Sequence, residues 1–156
     1  TKNTNDFHIV LKYSDGTPIN PSDFDFTITA DNAVLDHSNK IVAQGAPLTY
    51  QPHSFDTTRA DNLIKANFTV GRLQSDCDAT LKVASKATGD KAITLDLLRY
   101  IDQIKDDDLP GASLNEYLDR QDDWTIEFTL DRESDKLFGM TFTINDWTIV
   151  INNYDL

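Results

Sequence analysis

Three patterns in this sequence predict an all-β chain built as an antiparallel two-layer β-sandwich, with about seven strands and one or two short helical segments. Apolar and polar residues alternate in one segment after another, turn-forming residues recur at short intervals, and helical spacing is confined to the stretch from Leu98 to Leu118. A sandwich is the simplest way to cover sheets that are apolar on one side only.

Phe7, Ile9, Leu11 and Tyr13 fall on one phase, with His8, Val10 and Lys12 on the other, and Asp15-Gly16 supplies a turn. Phe24, Phe26 and Ile28 repeat the pattern, and Asp31-Asn32 offers a reversal before the short apolar pair Val34 and Leu35. Leu48-Thr49-Tyr50 is a weaker strand. A loop over 51–61 separates it from the next alternating run, Ile64, Ala66, Phe68 and Val70. Ala79, Leu81 and Val83, then a turn at Thr88-Gly89-Asp90, then Ile93, Leu95 and Leu97 read as a hairpin.

From Leu98 the period lengthens. Leu98, Ile101 and Ile104, then Leu114, Tyr117 and Leu118, suit short helical turns that cover the sheets. Between them, Asp106-Asp107-Asp108-Leu109-Pro110-Gly111 reads as a solvated loop, because like charges, proline and glycine all disfavour a packed element. Only residues 1–6 have the composition of a linker.

The closing third carries the clearest signal. Trp124, Ile126, Phe128 and Leu130 share one phase, Phe138, Met140, Phe142 and Ile144 repeat it, and Trp147, Ile149 and Ile151 follow after Asn145-Asp146. A two-residue hairpin loop there pairs Ile144 with Trp147, Phe142 with Ile149 and Met140 with Ile151, and on the opposite face Thr143 with Thr148 and Thr141 with Val150. A slip of one residue exposes every apolar member. On this phase Trp147 is a core residue, and Trp147→Ala is expected to cost about 3–5 kcal/mol.

The 156 residues suit one domain, which at this size buries roughly 70% of its unfolded surface. A formal net charge of -12, without a basic cluster, makes nucleic acid and anionic membrane surfaces poor partners. No apolar run approaches the roughly 20 residues of a membrane-spanning helix, so no direct membrane insertion is expected. The start at Thr1 leads to the expectation of a targeting segment upstream.

Chemistry is sparse. His8, His37 and His53 match no chelating spacing, and no Asp-rich stretch has the ligand pattern of a calcium loop, so neither a metal nor any other cofactor is expected. Cys77 is the sole cysteine, excluding an internal disulfide; Asp76 and Asp78 beside it would weaken its thiolate, leaving it a small filler. There is no Gly-x-Ser-x-Gly turn and no phosphate-binding loop, and Asp122 and Asp123, adjacent on a strand, point to opposite faces. An enzyme is therefore not expected, and no catalytic residue is assigned. Trp124 and Trp147 share the phase of Ile and Phe, so core packing is favoured over a sugar-stacking platform. The sequon Asn67-Phe68-Thr69 lies in a strand, a poor place for a glycan acceptor.

The segment Asn115-Glu116-Tyr117-Leu118-Asp119-Arg120-Gln121-Asp122-Asp123-Trp124, running on through Thr125-Ile126-Glu127-Phe128-Thr129-Leu130-Asp131, resembles a motif of the fimbrillin-associated anchor proteins of Bacteroidales, the FimB and Mfa type. So does Phe142-Thr143-Ile144-Asn145-Asp146-Trp147-Thr148-Ile149-Val150, which is similar to that family's closing hairpin, with Asp146 where glycine is usual. A looser likeness runs from Leu81 to Leu98. The resemblance implies a transthyretin-like sandwich, here the C-terminal domain of a longer two-domain lipoprotein. Its lipidated cysteine would lie upstream, Cys77 being none. It further implies a place on the bacterial outer-membrane surface and a structural role in anchoring or assembling fimbriae, with strand exchange between subunits. The partner implied is a fimbrial subunit protein. The alternative function is a carbohydrate-binding or adhesin module, with a glycan as partner, because fold alone does not set function.

Overall fold

In chain order the strands are β1 (Thr4–Tyr13), β2 (Phe24–Ala30), β3 (Leu48–Tyr50), β4 (Ser54–Thr57), β5 (Leu63–Gly71), β6 (Ala79–Ser85), β7 (Ala92–Asp96), β8 (Asp123–Leu130), β9 (Leu137–Ile144) and β10 (Trp147–Asn152). Helices α1 (Leu97–Asp108) and α2 (Leu114–Arg120) stand between β7 and β8. The computed structural model describes residues 4–31, 38, 47–57, 62–75, 77–86, 92–130, 137–144 and 147–152, and for 137–144 and 147–152 the backbone path alone. The short apolar pair Val34 and Leu35 and the turn at Thr88-Gly89-Asp90 lie outside the described residues.

Among the described residues ten strands make two sheets, where about seven strands are expected from sequence. One sheet has the order β10-β9-β8-β1-β5-β4, and the other β3-β2-β6-β7. Alternation builds both. On β1, Phe7, Ile9 and Leu11 are buried between the sheets while Asp6, His8 and Lys12 take the outer face. Register aligns the inward residues into rows: Phe7 lies opposite Phe68 of β5 and Trp124 of β8, and Ile9 opposite Ala66 and Ile126. In the smaller sheet Leu81 lies between Ile28 and Leu95, and Val83 between Phe26 and Ile93. These faces share one core. Contacts tie the sheets at one side: the Tyr50 hydroxyl lies 3.3 Å from the Gly71 amide, and the Phe26 and Phe55 rings meet edge-on at 5.8 Å.

The closing hairpin has the expected register. Trp147 pairs with Ile144, Ile149 with Phe142 and Ile151 with Met140, with Thr148 opposite Thr143 and Val150 opposite Thr141. The loop residues Asn145 and Asp146, and the Trp147 side chain, lie outside the described residues.

Four expectations need correction. The sheets are not wholly antiparallel: β1 and β8, the central pair of the larger sheet, run parallel. Periodicity says nothing of direction, and a parallel neighbour needs a long connection, here everything from β2 to α2. Residues 4–6 are strand rather than linker. Asn5 is buried because its Oδ1 accepts from Trp124 Nε1 at 3.3 Å, while the Asp6 amide donates to the Asp122 carbonyl at 2.7 Å. The span 51–61 contains β4, an edge strand with Phe55 opposite Ala66 of β5. One apolar residue leaves no alternation to read. Finally, Asp106 to Asp108 form the last turn of α1. Lys105 pairs with Asp102 and Asp106, and the Tyr117 hydroxyl donates to Asp108 Oδ2 at 2.7 Å, so two of the three carboxylates are tied down. The hydrogen bond to Asp106, reinforced by the charges of Asp106 and Asp102, holds the Lys105 ammonium above its ordinary range.

Both helices start on side-chain caps. Asp96 accepts from the Arg99 amide, and Ser113 and Glu116 form a capping box at α2. Gly111, at φ +85°, makes the turn between them with a backbone that other residues resist. The helices bury Leu97, Tyr100, Ile101 and Ile104 of α1 and Tyr117 and Leu118 of α2. Among the described residues no helix is long and apolar enough to cross a membrane.

Candidate interaction surface

The outer face of the larger sheet carries a chain of polar side chains across four strands. His8 on β1 is central: Nδ1 lies 2.7 Å from Asn67 Oδ1 on β5, and Nε2 lies 2.9 Å from Asp123 Oδ1 on β8. Asn67, only 6% exposed, donates through Nδ2 to Ser54 Oγ at 3.1 Å and Asp56 Oδ2 at 3.0 Å on β4. A carboxylate only accepts, so Asp56 fixes the orientation of the amide, and Oδ1 must face the imidazole. Thr69 and Asp6, and Lys12 and Glu127, add further links between neighbouring strands. Every polar atom named is partnered, so this face braces the sheet.

Trp124 is fully buried, stacked on Phe7 at 6.3 Å between ring centroids and tilted against Tyr117 at 5.9 Å. It is core, as its phase predicts. Burial, then the bond to Asp108, pushes the Tyr117 hydroxyl well above the ordinary phenol range. Asp123 joins the outer polar chain through His8. His53 is exposed and donates its backbone amide to the Asn67 carbonyl. His37 lies outside the described residues. Among the described residues no three His, Cys, Asp or Glu come together as metal ligands. Cys77 is buried. Asn67 has its amide nitrogen committed to two acceptors, which closes it to a glycan.

One feature escapes the sequence reading. β3 pairs only with residues 28–30 of β2, after which the chain crosses at 51–53 to become β4 in the other sheet. The flank of β2 at Phe24–Thr27 therefore has no strand beside it among the described residues. A notch of about 430 Å³ results, floored by Phe24 and Phe26 and rimmed by Pro21, Gln51, Pro52, Phe55 and Lys86. Phe55 is on the inward phase of β4, yet lies beyond the cover of the smaller sheet and stays 44% exposed. Its signal was a lone aromatic between Ser54 and Asp56, with no apolar residue two positions away on either side.

The family of fimbrillin-A associated anchor proteins Mfa1 and Mfa2 matches residues 1–153. No curated protein matches the chain. Among solved structures, a candidate adhesin from Bacteroides thetaiotaomicron superposes with a TM-score of 0.81 at 28% identity, over 96% of this chain and 53% of its own. A candidate polysaccharide-binding protein from the same species gives 0.78 at 22% identity, over 99% and 52%. The fimbrial anchor protein Mfa2 from Porphyromonas gingivalis gives 0.67 at 19% identity, over 95% and 48%. The last two likenesses speak for the fold alone. The chain spans about half the length of the structures it matches.

Proposed function

The chain belongs to the family of fimbrillin-A associated anchor proteins, and from that premise we propose that it is a structural cell-surface module that anchors or assembles fimbriae by strand contacts with a fimbrial subunit. The observation that carries the reading is the match over residues 1–153, which takes in the closing hairpin. The finer parts of the proposal are a transthyretin-like sandwich, a C-terminal position in a two-domain lipoprotein and attachment to the outer membrane through a lipid upstream. The role is structural rather than enzymatic.

Strand contact needs an open sheet edge. Among the described strands, β10, β4, β3 and β7 end their sheets. With six residues β10 is the longest of these, against four, three and five, and so offers the most pairing groups. Successive N–H groups along a strand point to opposite edges, so of Thr148→Pro and Ile149→Pro one blocks the open edge and spares the ladder to β9. Purified fimbrial subunit should bind the protein and lose binding to that one variant while its circular dichroism is kept. No binding to any subunit refutes the anchor reading, and equal binding to both variants refutes β10.

A second reading is a carbohydrate-binding surface module. It is favoured by the half-exposed Phe55 in its notch, and the structural neighbour described as a candidate adhesin is in keeping with it.

A further inference from the structure

From the notch at β4 we infer a subsite for a neutral saccharide, with the ring of Phe55 as its stacking surface; this rests on the second reading above. Phe55 and Leu48 are the large apolar side chains exposed among the described residues, and of the two Phe55 lines the notch. Its ring is held by Phe26 at 5.8 Å and 61°, so it is fixed in direction while much of it remains open. A rigid aromatic beside hydrogen-bonding groups suits a sugar, which offers apolar C–H faces and a rim of hydroxyls.

The rim supplies both kinds of hydrogen-bonding partner. Gln51 both donates and accepts, the Asp25 carboxylate accepts and the Lys86 ammonium donates, all from exposed positions. Asp25 and Lys86 lie 3.7 Å apart and cancel, so the notch carries no net charge in a chain of net charge -12. An anionic sugar gains nothing there and meets the repulsion of the whole chain. The size agrees: 430 Å³ is in the range of small-ligand sites.

A peptide strand fits less well. The uncovered flank is Phe24–Thr27, about 13 Å of strand, short of the five or six residues of an ordinary pairing. That length is closer to a disaccharide.

The test is a panel of neutral gluco-, galacto- and manno-oligosaccharides, with sialylated and sulfated glycans alongside, titrated calorimetrically into the purified protein and into Phe55→Ala and Gln51→Ala. At least one neutral oligosaccharide should bind, weakening tenfold or more in Phe55→Ala and severalfold in Gln51→Ala. Both residues are exposed, so the variants should fold, and circular dichroism checks this. Saturable binding that Phe55→Ala leaves unchanged overturns the subsite and keeps the carbohydrate reading. Preference for anionic glycans overturns neutrality, and no binding to any glycan at millimolar concentration overturns subsite and reading together.

Discussion

Replacing Trp124 tests the joint between the sheet and the helices. Its indole is fully buried, lies against Phe7 on β1 and Tyr117 on α2, and donates to Asn5, itself only 2% exposed. Trp124→Ala opens a cavity worth about 3–5 kcal/mol. It also leaves Asn5 Oδ1 without its donor, a cost of about 1–3 kcal/mol. Water entering the cavity can satisfy Asn5, so the two terms overlap and the sum is about 4–6 kcal/mol. That rivals the whole stability of a domain, commonly about 5–15 kcal/mol. Trp124→Phe keeps an aromatic ring on Phe7 and loses the N–H, and is expected to cost about 2 kcal/mol. Urea unfolding followed by circular dichroism measures each variant. A double-mutant cycle with Asn5→Ala should return a coupling of about 1 kcal/mol. Zero coupling refutes the hydrogen bond, and a cost below about 1 kcal/mol for Trp124→Ala refutes the burial.

Asn67→Ala strips the amide that links His8 to Ser54 and Asp56, and should cost about 1–3 kcal/mol in urea unfolding. Expressed in a host that glycosylates sequons, the protein should leave Asn67 unmodified by mass spectrometry, because its nitrogen is committed and buried. Tyr117 is held neutral by burial and by its bond to Asp108, so its folded pKa lies above the ordinary value near 10. A raised folded value gives stability that is complete below about pH 10 and is lost progressively above it, as pH climbs toward the folded value. Melting temperatures from pH 8 to 11 should fall more steeply for the wild type than for Tyr117→Phe.

The legible parts of this fold are those where neighbours in sequence are neighbours in space. Two alternating runs separated by Asn145-Asp146 admit one register that keeps Phe142 and Ile149 on the same side, and the β6–β7 pairing follows from Leu81, Val83, Ile93 and Leu95 in the same way. What escaped depends on partners far along the chain. Nothing near Asn5 announces Trp124, and nothing in the alternation of β1 or β8 reveals that they run parallel. The helix over Asp106 to Asp108 is stabilised by Lys105 within it and by Tyr117 from the next helix, so a reading of local charge alone ends it too soon. The candidate surface was the least legible of all. The notch exists because β3 stops short, and only the pairing of β3 with residues 28–30 makes that visible.

Fimbrial attachment and sugar binding need not compete. In the order β10-β9-β8-β1-β5-β4 the proposed strand edge and the notch at β4 sit on opposite sides of one sheet, five strand spacings or about 24 Å apart. Between them stands β1, held by ladders on both sides, whose removal would break two pairings and take Phe7, Ile9 and Leu11 from the core. β10 is held by one ladder, so engagement there can leave β1, β5 and β4 in place. Saturating the protein with fimbrial subunit should therefore leave its affinity for a neutral oligosaccharide unchanged within twofold. Loss of sugar binding on subunit addition would mean that both partners use the β4 side, and the assignment of the strand contact to β10 would fall.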